Sequence, residues 1–362
     1  MGLLEFTLQA LNKAAHEDFF CVEYAIKANH NPVLLNLISN YGLGADCVSG
    51  AEIKRALECG FEPRKITYAG VGKRDEEIIM GLETGIGCFN VESLEEIDVI
   101  ARLAEKLNKK APIALRINPD IDAHTHHYIT TGLAENKFGI SKEWLDKAVD
   151  KVNSYPSLYL KGLHFHIGSQ ILDNEPFGIL CDRINDFQTH LENRGVKLST
   201  INVGGGLGID YDNPDKNPIP DFSGYFETLR SRIILRPGQY LHCELGRSVV
   251  GQCGSLISRV LYVKSGIDKK FLIADAGMTE LIRPALYGAH HNIDNLSSLH
   301  EDRSEIYDVV GPVCESSDVF ANEEKMPVTK RGDLIAFRSA GAYGEVMSSS
   351  YNLRTLNPPY YY

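Results

Sequence analysis

The sequence predicts an α/β chain, a (β/α)8 TIM-type barrel over residues 1–247, followed by a C-terminal antiparallel β domain over 248–362. Three observations carry this. Apolar runs alternate with amphipathic stretches of helical period, the mark of parallel β/α units. The runs number eight, the count that closes a barrel. After about residue 248 helical periods become scarce, and short strand-like runs between glycines replace them. At 362 residues the chain is long enough for two cores. An open doubly wound sheet is the competing arrangement, because periodicity does not tell closure from openness.

Leu4, Leu8, Leu11 and Ala15 open the chain on a helix over residues 3–15. Runs near 20–26, 44–48, 65–69, 86–91, 112–118, 160–167, 200–204 and 240–245 read as strands. The stretches 50–59, 74–84, 93–108, 141–153, 175–194 and 222–231 read as helices between them. In the second half, 251–263 alternates and then runs apolar, and Phe271–Asp275 and Asp333–Phe337 read as short strands. There is no internal repeat and no low-complexity linker.

Composition excludes several function classes. The net charge of −11, with no cluster of lysines and arginines, argues against a nucleic-acid partner. No apolar run is long enough to span a bilayer and no basic-then-apolar leader is present, so a cytoplasmic protein without a membrane partner is expected. The eight cysteines are scattered without a Cys-x-x-Cys pair, and Cys21, Cys47, Cys88 and Cys243 fall in apolar runs, which suits buried, reduced thiols. No metal site is expected.

On a barrel, function collects where the strands end. The first run, Phe19–Ile26, leads into Lys27 and then the turn signal Ala28-Asn29-His30-Asn31-Pro32. A lysine there can lose hydration and turn its amine into a nucleophile toward carbonyls; the alternative is a packed stem with its head in water. The other strand ends carry Asp46, Arg116 with Asn118, His166 with Ser169, Gly204-Gly205-Gly206, and Glu244 with Arg247. The glycines suit a phosphate cradle or a plain turn. His164 and His166 share one side of a strand; a flat cofactor against one ring suits them better than a metal, and a satisfied core histidine is the alternative. Glu244 and Arg247 could hold a cofactor atom and an anion, or be a surface ion pair. Asp122–His127 and His290-His291 look like metal lures, but adjacent histidines rarely point at one ion, so both read as solvated or substrate-facing loops. In the second half, Arg283–Tyr287, Gly311–Asp318 and Ala340–Gly344 each have a purely structural reading when taken singly.

As a set, however, Tyr24–Asn29, His164–Gln170, the triple glycine, Glu244-Leu245-Gly246-Arg247, Gly311–Ser316 and Gly341-Ala342-Tyr343 resemble the alanine-racemase-like (fold type III) pyridoxal-phosphate decarboxylases, in the family's order over nearly the whole chain. The resemblance implies pyridoxal 5'-phosphate as cofactor, with Lys27 forming the internal aldimine. It places His166 on the pyridine ring, Ser169, Gly204, Gly205, Gly206 and Tyr343 toward the phosphate, and Glu244 at the ring nitrogen, with Asp46, Gly246 and Arg247 also in the cofactor site. Arg247, Arg283, Tyr287 and Tyr343 would contact an amino-acid substrate, arginine suiting a carboxylate through its planar fork. Cys314 and Glu315 would come from the partner subunit of a homodimer with shared active sites, Cys314 assisting protonation and Glu315 binding the distal amino end of the substrate. The implied reaction is decarboxylation of meso-2,6-diaminopimelate to L-lysine, the last step of lysine biosynthesis. Arg283 and the Cys314-Glu315 pair favour that substrate, since ornithine-type relatives usually carry aspartate where Glu315 stands.

Three departures from the family pattern stand out. The chain starts directly at a helix where relatives usually have an extended segment, Leu245 replaces a common proline, and Asn357–Tyr362 ends abruptly. The pattern therefore leaves room for residues before Met1 and after Tyr362. Other functions left open are a non-catalytic cofactor-binding relative, a racemase using Tyr343 as second base, and decarboxylation of ornithine, arginine or carboxynorspermidine.

Overall fold

The computed structural model describes residues 1–121 and 137–362; the Asp122–His127 loop lies outside them. Eight strands form the barrel: β1 (Phe20–Ala25), β2 (Gly44–Cys47), β3 (Ile66–Tyr68), β4 (Cys88–Val91), β5 (Ala111–Asn118), β6 (Leu158–His164), β7 (Thr200–Asn202) and β8 (Tyr240–Leu245). Each pairs in parallel with the next, and β8 pairs with β1, so that Glu23 lies between Gly44 on one side and Glu244 on the other. That last pairing closes the ring and removes the open-sheet alternative. The two-residue strand Ile140–Ser141 adds to β5 outside the ring.

The helices Gly50–Glu58, Asp75–Thr84, Leu94–Lys106, Leu145–Asn153, Glu175–Asn193 and Phe222–Arg232 fall where helical periods are read in the sequence. Two of them start on serine caps: Ser49 Oγ accepts from Glu52 N at 3.2 Å, and Ser93 Oγ from Glu96 N at 3.1 Å. A further helix, Pro32–Asn40, follows β1 where the sequence reads as a turn. Asn31 caps Val33 N at 3.1 Å and Pro32 takes the first helical position, so the same residues that end a strand also begin a helix.

The chain divides into two compact units. One comprises Leu8–Gly208 and Asp221–Gly246, the barrel; the other comprises Met1–Thr7, Ile209–Pro220 and Arg247–Tyr362. The sequence reading places a single boundary after residue 247, whereas residues 209–220 group with the second unit. Polar contacts explain why: Gln252 Nε2 donates to Asn217 O at 2.6 Å, Asn292 Nδ2 to Asp212 O at 3.1 Å, and Arg338 Nη1 to Asp215 Oδ2 at 3.2 Å.

The second unit holds a six-stranded sheet of β9 (Leu256–Ser265), β10 (Lys270–Ala274), β11 (Ile293–Asn295), β12 (Glu305–Val310), β13 (Val319–Met326) and β14 (Leu334–Phe337), in the order β11-β14-β9-β10-β12-β13. Four pairings are antiparallel as the sequence suggests, but β10 and β12 run parallel, so the sheet is mixed. The connection between those two strands carries the helix Arg283–Tyr287 and β11, a crossover long enough to return the chain in the same direction. Val260, Leu272, Tyr307, Val309, Met326 and Phe337 fill this unit's core. Among the described residues, no helix is long and apolar enough to cross a membrane.

Candidate active site

β1 stops at Ala25, and Ile26-Lys27-Ala28 form a single 3-10 turn. Ile26 and Ala28 are buried, and Tyr24 Oη donates to Asn29 O at 2.9 Å, so the turn is pinned from beneath while the Lys27 side chain stays 40% exposed. Gly246 at the end of β8 lets this turn approach: a Cβ there would lie 3.0 Å from the Cβ atoms of Ala25 and Ala28. Lys27 Nζ stands 3.5 Å from Asp46 Oδ2 on β2. Asp46 is buried, and its Oδ1 has no partner among the described residues. Burial, and next the charge of Glu244, push its carboxyl up to about 6 against the pull of Lys27.

Glu244, read in the sequence as one half of a possible surface pair, is buried inside the barrel. Its Oε1 accepts from Asn202 Nδ2 at 2.8 Å and Asn90 Nδ2 at 3.2 Å, and its Oε2 lies 3.0 Å from His164 Nε2. Burial pushes this carboxyl up; the positive charges of Lys27 and Arg116 and the Asn202 hydrogen bond pull it back. Burial, and then the Arg116 charge, bring His164 down to about 3, so its ring is neutral. No metal-binding cluster of His, Cys, Asp or Glu occurs among the described residues.

Around this centre lie two buried ion pairs. Arg116 on β5 reaches Glu92 Oε1 at 2.9 Å, and Glu92 also accepts from Gly70 N and Gly139 N, each at 3.0 Å. Lys73 Nζ, almost wholly buried, donates to Glu96 at 2.6 Å, Asn90 O at 2.7 Å and Gly70 O at 2.8 Å. Burial pushes Glu92 up, but Arg116 and Lys73 outweigh it and hold the carboxyl below its usual range. Asn118 Oδ1 accepts from Asp120 N at 3.1 Å and so shapes the turn after β5.

Close packing requires the glycine run after β7. A Cβ on Gly205 would lie 2.1 Å from Glu244 O, and one on Gly204, whose φ is +72°, would lie 2.3 Å from Phe165 O. Two of the three amides are already used: Gly204 N donates to Asn202 Oδ1 at 2.8 Å and Gly205 N to His166 Nδ1 at 3.2 Å. Gly206 N–H alone of the three has no acceptor among the described residues. His166 thus accepts at Nδ1, and burial, followed by the charges of Arg116 and Lys27, holds its imidazole well below its ordinary pKa. Ser169 sits in the loop between β6 and the helix Glu175–Asn193.

The second unit has its own polar cluster. Arg247, at the start of the short helix Arg247–Val250, donates from Nη1 to Tyr211 Oη at 2.6 Å, and its guanidinium lies 4.9 Å from the centre of the Tyr343 ring. Arg283 lies 4.8 Å from the Tyr211 ring centre and donates to His291 Nε2 at 2.8 Å. His291 Nδ1 donates to Arg338 O at 2.8 Å, which fixes the tautomer that accepts from Arg283. Of the solvated or substrate-facing loop that the sequence reads at His290-His291, the solvated alternative is corrected for His291, which is buried, while His290 is exposed. Tyr343 adopts a left-handed φ of +56°, unusual for an aromatic residue. Tyr287 ends the helix Arg283–Tyr287 and is half-buried.

Cys314 and Glu315 lie on a separate exposed turn of this unit. Glu315 Oε1 accepts from Tyr351 Oη at 2.6 Å, and Cys314 N donates to Asn352 Oδ1 at 3.0 Å. Asp318 builds the turn from inside, accepting from Val313 N at 2.7 Å and Met278 N at 2.6 Å. Of the four cysteines expected to be buried, Cys47, Cys88 and Cys243 are, while Cys21 is half-buried. Lys73, Asn90, Glu92, Asn202, Tyr211, Tyr351 and Asn352 are not among the residues singled out in the sequence. The one signal for Asn202 is its place just before the glycine run; nothing local marks the others.

Comparison with known proteins gives one consistent result. The family model described as pyridoxal-dependent decarboxylase, pyridoxal binding domain, matches residues 6–251. A diaminopimelate decarboxylase from Bacteroides thetaiotaomicron is 57% identical over 359 residues, covering 99% of this chain and 92% of its own. One from Zymomonas mobilis is 44% identical over 335 residues, covering 92% and 79%. The crystal structure of the Helicobacter pylori diaminopimelate decarboxylase complexed with L-lysine matches with a TM-score of 0.90 at 39% identity, covering 97% of this chain and 87% of that one.

Proposed function

Because this chain belongs to the pyridoxal-dependent decarboxylase family, we propose that it binds pyridoxal 5'-phosphate and converts meso-2,6-diaminopimelate to L-lysine and carbon dioxide. The observation that carries the reading is the joint placement of Lys27 and Glu244 at the strand ends of one barrel: a half-exposed amine beside a buried carboxyl, and a second buried carboxyl facing three nitrogen groups. The residues suit the cofactor. The orphaned Asp46 Oδ1 and the unused Gly206 N–H are polar groups that a phosphorylated, proton-bearing ligand would satisfy.

When bound, pyridoxal phosphate supplies the electron sink that accepts the pair left behind as carbon dioxide departs. Lys27 would hold the cofactor covalently through its amine. Glu244 would hold a proton at the ring nitrogen, and His166, whose Nδ1 accepts from the Gly205 N–H, would face the ring. Gly206 N–H, Ser169 and Tyr343 would bind the phosphate, with Gly204, Gly205 and Gly246 allowing a close backbone approach. Arg247, Arg283 and Tyr287 bind the substrate carboxylates; Arg283 is pre-oriented by His291, and burial lowers its pKa.

In this reading the enzyme is a homodimer with shared active sites, in which each subunit offers Cys314 and Glu315 to its partner. Exposure of the Cys314 thiol on its own subunit supports that role. Cys314 delivers the proton that replaces the lost carboxylate, and Glu315 binds the distal amino end. The test is a substrate panel: purified protein with pyridoxal phosphate is given meso-diaminopimelate, ornithine, arginine or carboxynorspermidine, and carbon dioxide is measured. The account expects meso-diaminopimelate to be turned over far faster than the rest. Comparable or faster turnover of another amine would overturn the substrate assignment while leaving the decarboxylase.

A further inference from the structure

We infer that Asn90 and Asn202 are positioning residues that keep Glu244 ionised, so that two amides behind the carboxylate govern the proton on the cofactor's ring nitrogen. The inference rests on the reading above, in which that nitrogen meets Glu244.

Both amides meet the same oxygen, Oε1, Asn202 Nδ2 at 2.8 Å and Asn90 Nδ2 at 3.2 Å. The Asn202 orientation is dictated by its surroundings. Its Oδ1 accepts the Gly204 N–H at 2.8 Å, which leaves only the NH2 end for Glu244. His164 Nε2 faces the other oxygen at 3.0 Å, but it does not choose between protonation states. Its Nδ1 has no partner among the described residues, so the tautomer follows Glu244: a donor to the carboxylate, an acceptor from the acid. The amides do choose: they bar a carboxyl proton from Oε1, and their N–H groups bind a carboxylate oxygen more strongly than the carbonyl oxygen of an acid protonated on Oε2.

The charged and titratable groups around Glu244 pull in both directions. Lys27 after β1, Arg116 on β5 and His242 on β8 favour its anion. Glu23 on β1 and Asp46 on β2 repel it, and His164 on β6 is neutral. Burial is the largest influence and pushes the carboxyl up; the Asn202 hydrogen bond works against it alongside the charges of Lys27 and Arg116.

Two measurements test this. Infrared titration of the cofactor-free protein reads the carboxyl C=O band of Glu244, assigned by its loss in Glu244→Gln. The band is expected to be absent at pH 7 in the unsubstituted protein and to appear in Asn90→Leu, with His164→Asn leaving it absent. Cofactor affinity is then compared between pyridoxal phosphate and its carba analogue, which has CH in place of the ring nitrogen. A hydrogen bond to a charged group is worth roughly 10- to 150-fold, so Asn90→Leu is expected to weaken pyridoxal phosphate by about tenfold or more and the analogue by less than about twofold. Equal weakening of both would reduce the amides to structural supports and overturn the inference. A Glu244 band already present at pH 7 in the unsubstituted protein would overturn it without any variant that must fold. If Glu244→Gln itself leaves the preference between the two ligands unchanged, the ring nitrogen does not meet Glu244; the underlying reading then fails, whatever the infrared result.

Discussion

Asp46→Asn is expected to stabilise the cofactor-free protein, and to do so only where Asp46 would be charged. Asp46 is 1% exposed, one of its oxygens has no described partner, and its carboxyl titrates at about 6 rather than 3.8. The native state therefore holds a proton between 3.8 and about 6 that the unfolded chain has released, so stability falls as pH rises through that window and is flat above it. The penalty reaches about 3 kcal/mol at pH 7.5 and about half that at pH 5. Asparagine keeps the shape and removes the charge. For a chain of 362 residues this corresponds to a rise in Tm of about 4 °C at pH 7.5, shrinking toward acid. Thermal melts of both proteins across pH 5 to 8 read it directly. A variant no more stable at pH 7.5, or a difference that does not change with pH, would refute the view that burial of the Asp46 charge costs the fold stability.

Two further outcomes follow from the contacts. Arg116→Ala strands the buried Glu92 carboxylate and is expected to cost about 3–5 kcal/mol, whereas Arg116→Met combined with Glu92→Gln recovers most of it; thermal melts of the three proteins check this. Tyr351→Phe removes the hydroxyl that orients Glu315, and is expected to raise KM for meso-diaminopimelate by about three- to tenfold while changing kcat less, as steady-state kinetics would show.

The barrel was legible because its signal is local. Strand runs and helical periods are short-range patterns, and the residues at strand ends, Lys27, Asp46, His166 and Glu244, can be found by asking which polar side chains follow apolar runs. The helix after β1 was not legible, since Asn31-Pro32 serves equally as a turn and as a helix start. The parallel pairing of β10 with β12 and the grouping of residues 209–220 with the second unit depend on contacts distant in sequence. The same holds for the residues that support the site. Lys73 looks like any surface lysine until Glu96 and two carbonyls enclose it. His291 looks solvated until Arg283 and the Arg338 carbonyl take its two nitrogens. Asn90 and Asn202 gain meaning only from the carboxylate they share, which lies far along the chain.

The most direct test of the central claim is lysine formation from meso-diaminopimelate by the unsubstituted protein and by Lys27→Ala, each saturated with pyridoxal phosphate. The account predicts lysine and carbon dioxide in equal amounts from the first and none above background from the second. Lysine formation by Lys27→Ala at an undiminished rate, or none from the unsubstituted protein carrying its cofactor, would contradict it.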